Sequence, residues 1–210
     1  GCKWHELKHY IGTLSYQHLP KKINFEGGIL QNNKKKFKTS ELITLEQLKM
    51  VNGKIFLEQT PEKDVEFLIW RYANHPYNNY KIWLVHHDHC ESLVVTRFQK
   101  IYDKEILRII DYIGSPELAA SSIYSVFFNF PKNQALAYVD FVASGFDNKQ
   151  FFNHGFSEID FNNPTNYAPN LFEPLVEKSV QIFANSYHGY TDTVMVRGNG
   201  DQDRPNLLQI

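Results

Sequence analysis

The chain predicts a mixed α/β fold, a mostly antiparallel sheet flanked by helices, and three observations predict it. Bulky runs at 80–86, 92–102 and 106–113 follow one another across short polar turns, the pattern of a strand meander. A helix-like stretch at 116–129 comes next, followed by an apolar run at 135–142, so the third strand is joined to a fourth through a helix. That last run is almost continuous in apolar residues, which is how a strand buried on both faces reads.

The size and composition bound the possibilities. A chain of 210 residues, 42% hydrophobic and 21% charged, is globular, of one domain or one and a half, with material for a sizeable core. Aromatic residues make up 15%, and such side chains fill cores and also line ligand grooves. A net charge of −1 gives no electrostatic footprint for nucleic acid. The basic clusters Lys21-Lys22 and Lys34 to Lys38 lie in polar sequence and read as solvated loop faces. Two cysteines, Cys2 and Cys90, exclude a disulfide framework and favour a reducing compartment. No run of about 18 apolar residues is present, and Gly1-Cys2-Lys3-Trp4 does not read as a signal peptide. The expectation is a cytoplasmic protein with a small-molecule partner, without nucleic acid or membrane.

Residues 1–45 are the least readable part and are set apart, as a segment that could belong to a neighbouring domain, from a domain at 46–210. Leu42, Leu45 and Leu48 suggest a short helix capped at Thr39, Ser40 or Thr44 and ended near Asn52-Gly53. Thr60-Pro61-Glu62-Lys63-Asp64 predicts a helix start, with Val65, Leu68, Ile69 and Tyr72 at helical spacing and a stop before His75-Pro76. After the meander, Gly114-Ser115-Pro116-Glu117 is a strand-to-helix junction, and Pro131 breaks the helix it opens. A short helix at 148–153 stops at Gly155, a strand follows at 157–161, and 162–174 is loop. Residues 175–187 suit helix or strand, and 192–197 suit a final strand.

This order, with these residues, resembles the acyl-CoA N-acyltransferase (GNAT) superfamily over Glu91 to Asp160, with Asp64 to His89 leading in. The resemblance implies that Ile106 to Tyr112 splays from a parallel neighbour, Ala137 to Phe141. Asn148 to Phe156 is similar to the family's short helix and closing glycine-aromatic pair. The implied co-substrate is acyl-CoA, commonly acetyl-CoA, with no metal. Splayed strands leave backbone groups unpaired, and a pantetheine arm supplies amides that pair with them like a substitute strand. The pyrophosphate then meets a helix N-terminus. Ile113, Gly114, Ser115, Ala120, Ser121 and Ser122 are the residues this places around it. The junction departs from the family's glycine-rich turn, and Glu117 would repel phosphate.

The implied activity is acyl transfer from acyl-CoA to an amine, with an amino-sugar or sugar nucleotide as the favoured acceptor. The alternative is a non-catalytic binding module of the same fold, recognising a sugar or completing a larger enzyme. Asp111, Tyr112, Tyr138 and Asp140 are expected near the open ends of the splayed strands as acid and base. His154 joins them as a base near neutral pH, against the plainer role of ending a helix. Arg71, Asn74 and Tyr77 suit the stacking and hydrogen bonding of a sugar, as do Asp201, Asp203 and Arg204 in the polar cluster near the end of the sequence. His86-His87-Asp88-His89-Cys90 has metal-ligand chemistry, but adjacent strand residues face opposite sides and no second half-site exists, so a polar hairpin turn is the expectation.

Overall fold

Alternation fixes the meander. In β3 (Tyr80–His86), Trp83 and Val85 face one side of the sheet while Ile82 and Leu84 face the other. β4 (Glu91–Ile101) and β5 (Lys104–Ile113) follow as antiparallel neighbours, with one register shift between Val95 and Thr96. The computed structural model describes residues 3–21, 23–33, 38–58, 61–130, 135–163, 168, 181–186 and 193–199.

The remaining strands are β1 (Lys3–Gly12), β2 (Thr39–Leu42), β6 (Leu136–Ser144), β7 (Ser157–Glu158), β8 (Ile182–Ser186) and β9 (Met195–Val196). They form one sheet in the order β2-β3-β4-β5-β6-β1-β7, with β8 paired to β1 and β9 to β6. Only β5 and β6 run parallel among the described pairs. A parallel pair needs a long crossover, and α3 (Ala119–Asn129) supplies it. The fold class expected from the sequence is the one observed.

Two layers cover the sheet. On one face α3 and α4 (Asn148–Asn153) bury Ile123, Val126, Phe127 and Phe151 against Trp83, Val94, Ile109 and Phe141. On the other, α1 (Leu45–Lys49), a 3-10 stretch at Gly53–Glu58 and α2 (Val65–Leu68) bring Leu48, Ile55, Phe56 and Leu68 onto Leu93, Val95, Ile110 and Ile113. Every residue of β6 is buried, which explains its unalternating sequence.

Several boundaries differ from expectation for local reasons. Thr39–Leu42 is an edge strand on β3, not a helical turn, because Thr44 and Gln47 form a reciprocal capping box that starts α1 after it. Asp64, the last residue of the expected helix-start stretch, caps α2, accepting from the Phe67 N–H at 2.6 Å, so the helix begins at Val65. That helix runs on as a π-turn, Ile69–Ala73, and stops before His75. A 3-10 turn, Pro116–Leu118, precedes α3. Of the expected 157–161 strand, Ser157–Glu158 forms β7, and the Ile159 N–H adds one more bond to the His9 carbonyl of β1. β1 pairs with β6 from Lys8↔Ala143 to Gly12↔Val139, so the least readable part of the sequence begins with an interior strand of this sheet. Most of the 162–174 loop and of 175–187 lies outside the described residues.

Candidate functional site

β5 and β6 pair from Glu105↔Leu136 to Ile109↔Phe141 and then part. β5 stays with β4 as far as Leu93↔Ile113. β6 stays with β1, whose Lys8 pairs with Ala143. Each strand thus follows its outer neighbour, and a wedge opens between Ile110–Ile113 and Val142–Ser144.

The wedge is filled by the chain itself. β9 pairs with β6 at Ala143↔Val196 and Ser144↔Met195. Lys8 of β1 already holds the other side of Ala143, so β9 lies on the side facing β5. A 3-10 turn, Arg197–Asn199, then crosses to β5. A Cβ on Gly198 would stand 2.1 Å from the Tyr72 hydroxyl and 3.0 Å from both the Ile110 carbonyl and Asp111 Oδ2. Thr193, Val194, Val196, Arg197 and Gly198 are all buried.

Two buried polar clusters border the wedge. In the first, Asp111 Oδ1 accepts from Lys63 Nζ at 2.5 Å and from the Tyr112 N–H at 2.8 Å, while Oδ2 accepts from the Tyr72 hydroxyl at 2.6 Å. Burial, then the charge and hydrogen bond of Asp111, push the Tyr72 phenol well above its usual range. In the second, Asp140 accepts from Arg108 Nε at 3.2 Å and Nη2 at 2.9 Å and from His9 Nε2 at 3.2 Å. Arg197 Nη2 lies 3.7 Å from Asp140 Oδ2. Burial works to raise the Asp140 carboxyl, but Arg108, the His9 hydrogen bond and Arg197 hold it well below the ordinary range. Burial holds the His9 imidazole low despite Asp140, so the ring is neutral, with Nε2–H donating and Nδ1 left without a partner.

The expected acid–base residues separate accordingly. Asp111 lies at the wedge. Asp140 and Tyr138 lie in the paired stretch rather than at an open end, and Asp140 stands opposite Arg108, whose guanidinium pairs with its carboxylate. Tyr138 is fully buried with its ring against Phe25. The Tyr112 hydroxyl donates to the Ser115 carbonyl at 2.6 Å, closing the junction loop. His154 ends α4, where Nδ1–H donates to the Gln150 carbonyl at 2.7 Å and the ring meets Tyr124 edge-on.

The junction does not fit a pyrophosphate as it stands. Leu118 N–H donates to Ser115, Ala119 N–H to Pro116, and Ala120 N–H to the Gln150 side chain at 3.1 Å. The Ser121 and Ser122 hydroxyls turn back to the Leu118 carbonyl, and the Ser115 hydroxyl goes to Glu117. Gly114, at φ +132°, packs on Ser92, and the backbone of Ile113 is committed to β4. The wedge itself does fit an extended amide chain, because it holds one.

The acceptor-side residues lie on the π-turn and the loop after it. Arg71 stacks over the Tyr72 ring, and Asn74 ends the turn. Tyr77 is 64% exposed, and Trp70, seven residues before it on the π-turn, is 72% exposed. Asp201, Asp203 and Arg204 lie outside the described residues. The β3–β4 turn lines a pocket of about 550 Å³ with His86 to Glu91, Asn52, Lys54 and Ile55. His86 is held by Glu41 and Glu91, and His87 Nε2 faces Ser92 and Ser122. Among the described residues no three His, Cys, Asp or Glu side chains converge as metal ligands.

Sequence reasoning missed Lys63, Tyr72, His9, Arg108, Arg197 and Gly198. The one signal available was a charged residue, Arg108, inside a strand otherwise apolar on both faces.

No family model matches the chain, and no curated protein does. Among solved structures it is similar to a GCN5-related N-acetyltransferase from Anabaena variabilis ATCC 29413, at 12% identity and a TM-score of 0.41. The match covers 93% of this chain and 54% of that one, so the chain spans about half the length of that neighbour. Among the described residues no helix is long and apolar enough to cross a membrane.

Proposed function

We propose that the chain is an acyltransferase of the GNAT type, moving an acyl group from acyl-CoA to an amine, and that its acceptor is an amino-sugar or sugar nucleotide. The parting of β5 and β6 beside a buried Tyr–Asp pair is the observation that carries this reading. Acyl-CoA supplies the acyl group in activated form. The wedge sets Ile110 and Asp111 of β5 across from Val142 to Ser144 of β6, beyond the last β5–β6 pair, as flanks for an extended amide chain. Tyr72 stays protonated at any working pH; on this reading its hydroxyl, which donates to Asp111 in the closed chain, protonates the departing CoA thiolate, and the proton released by the acceptor amine returns to it through Asp111, which Lys63 fixes. The exposed rings of Trp70 and Tyr77, with Asn74, suit a hydroxyl-rich acceptor.

A second reading, the non-catalytic module, is favoured by one observation: the N–H groups that should meet phosphate are already bonded within the chain, and Glu117 stands among them. Incubation of the full chain with acetyl-CoA and a panel of amino-sugars, followed by mass spectrometry, separates the two. Acetylated product that disappears in Tyr72→Phe supports acyl transfer. Absence of product with every acceptor, from the native chain and from the opened variant described below, favours the module.

A further inference from the structure

Segment 193–199 occupies the place that an extended ligand would take, and its attachments are of an unusual kind. Arg197 is one of the cations that hold Asp140 ionised, but the hydrogen bonds named above to the two buried carboxylates come from outside the segment. If the segment leaves, Asp140 keeps both bonds from Arg108 and that from His9, and Asp111 keeps Lys63, Tyr72 and the Tyr112 N–H. Arg197, at 3.7 Å, is the most distant of the Asp140 partners. A strand integral to a core leaves orphaned buried groups when removed, and such orphans are costly. Here both carboxylates keep those hydrogen bonds, although Asp140 gives up the Arg197 ion pair.

Its β-pairing is short. Among the described residues β9 pairs with β6 at two positions. The segment is closely fitted all the same. Gly145, at φ +87°, gives it room, since a Cβ there would come 2.6 Å from the Thr193 carbonyl. At its other end Gly198 passes between Tyr72, Ile110 and Asp111, where a larger residue would strike the Tyr72 hydroxyl. A short strand, closely fitted and tied to Asp140 through the Arg197 ion pair rather than through the bonds that satisfy the carboxylate, has the features of an internal stand-in for a ligand.

We propose that segment 193–199 is a displaceable internal strand, so that its docking and the binding of an extended ligand in the β5–β6 wedge exclude one another. The ligand-competition half of this rests on the acyl-CoA reading of the wedge; the displaceability half does not. The closed chain is then a latent form, and ligand gains access only at the expense of β9 and the turn after it.

The test uses the full chain and three measurements. Hydrogen exchange of the amides of 193–199 is followed in the native chain, in Gly198→Val, and in a Ser144→Cys/Met195→Cys pair (with Cys2 and Cys90 changed to Ser) that ties β9 to β6. Displaceability predicts that the native segment exchanges ahead of global unfolding, and about tenfold faster in Gly198→Val with β3–β5 still protected. Exchange of 193–199 only with global unfolding overturns the proposal. Should Gly198→Val fail to fold, the native chain against the oxidised and reduced cysteine pair decides the same point.

Acetyl-CoA binding by calorimetry then tests competition. Tighter binding by Gly198→Val than by the native chain, and none by the oxidised pair, supports it. Equal binding by all three overturns it. A segment that opens in every exchange measurement while no form binds acetyl-CoA leaves displaceability standing and removes the acyl-CoA reading instead.

Discussion

Lys63 and Asp111 form an ion pair of 2.5 Å with side chains only 4% and 0% exposed. The Lys63 end comes from the segment leading into α2 and the Asp111 end from β5, so the pair pins the α2 layer to the sheet at the mouth of the wedge.

Removing one partner leaves a buried charge without its counter-ion. Lys63→Met is expected to lower unfolding free energy by about 3–5 kcal/mol, read as a shift of the urea midpoint. Asp111→Asn placed on top should restore part of the loss, because the orphaned charge is then gone. Two losses that simply add would show that the pair acts through separate contacts.

The neutral His9 makes stability fall in acid. Its folded pKa lies below the unfolded value, so above pH about 6.5 neither state holds the proton, and below it the unfolded chain binds one that the folded chain refuses. Unfolding free energy is therefore full above about pH 6.5 and declines as pH falls through that value. Asp140, also held low, adds a further decline below the ordinary carboxylate range. Urea titrations at several pH values should show the first decline in the native chain and a shallower one in His9→Gln.

Gly114 carries a backbone strain that a side chain would reveal. At φ +132°, with a Cβ only 2.8 Å from Ser92 Cβ, alanine meets both a disfavoured dihedral and a clash. Gly114→Ala is expected to cost about 1–3 kcal/mol in urea unfolding. Ser92→Gly in the same chain should recover the steric part and leave the dihedral part.

Local patterns made the central sheet legible. β3 to β6 follow from alternation and from a run buried on both faces, and Gly155 at φ +88° ends α4 as its sequence suggests. Interactions closed over long sequence distance did not show. His9 bonds through Nε2 to Asp140, 131 residues away, so β1 contains a buried polar residue that breaks its apolar pattern. Tyr72 reads as one more apolar position of a helix, and its partner Asp111 lies 39 residues on. Asp140 attracted attention for its acidity, whereas Arg108, directly opposite on β5, consumes it. Gly198 sits in a polar stretch where nothing local marks it as the residue that passes Tyr72.

The position of β1 bears on how the molecule assembles. Its residues pair with Ala143 and its neighbours on one strand and with residues as far as Ser186 on another, so β1 finds its place only after most of the chain has been made. Until then Leu7, Tyr10 and Ile11 have no sheet to lie against, and an unpaired strand of this kind invites association with other chains. Such non-local pairing puts refolding in the range of about milliseconds to seconds, and the competing association grows with protein concentration.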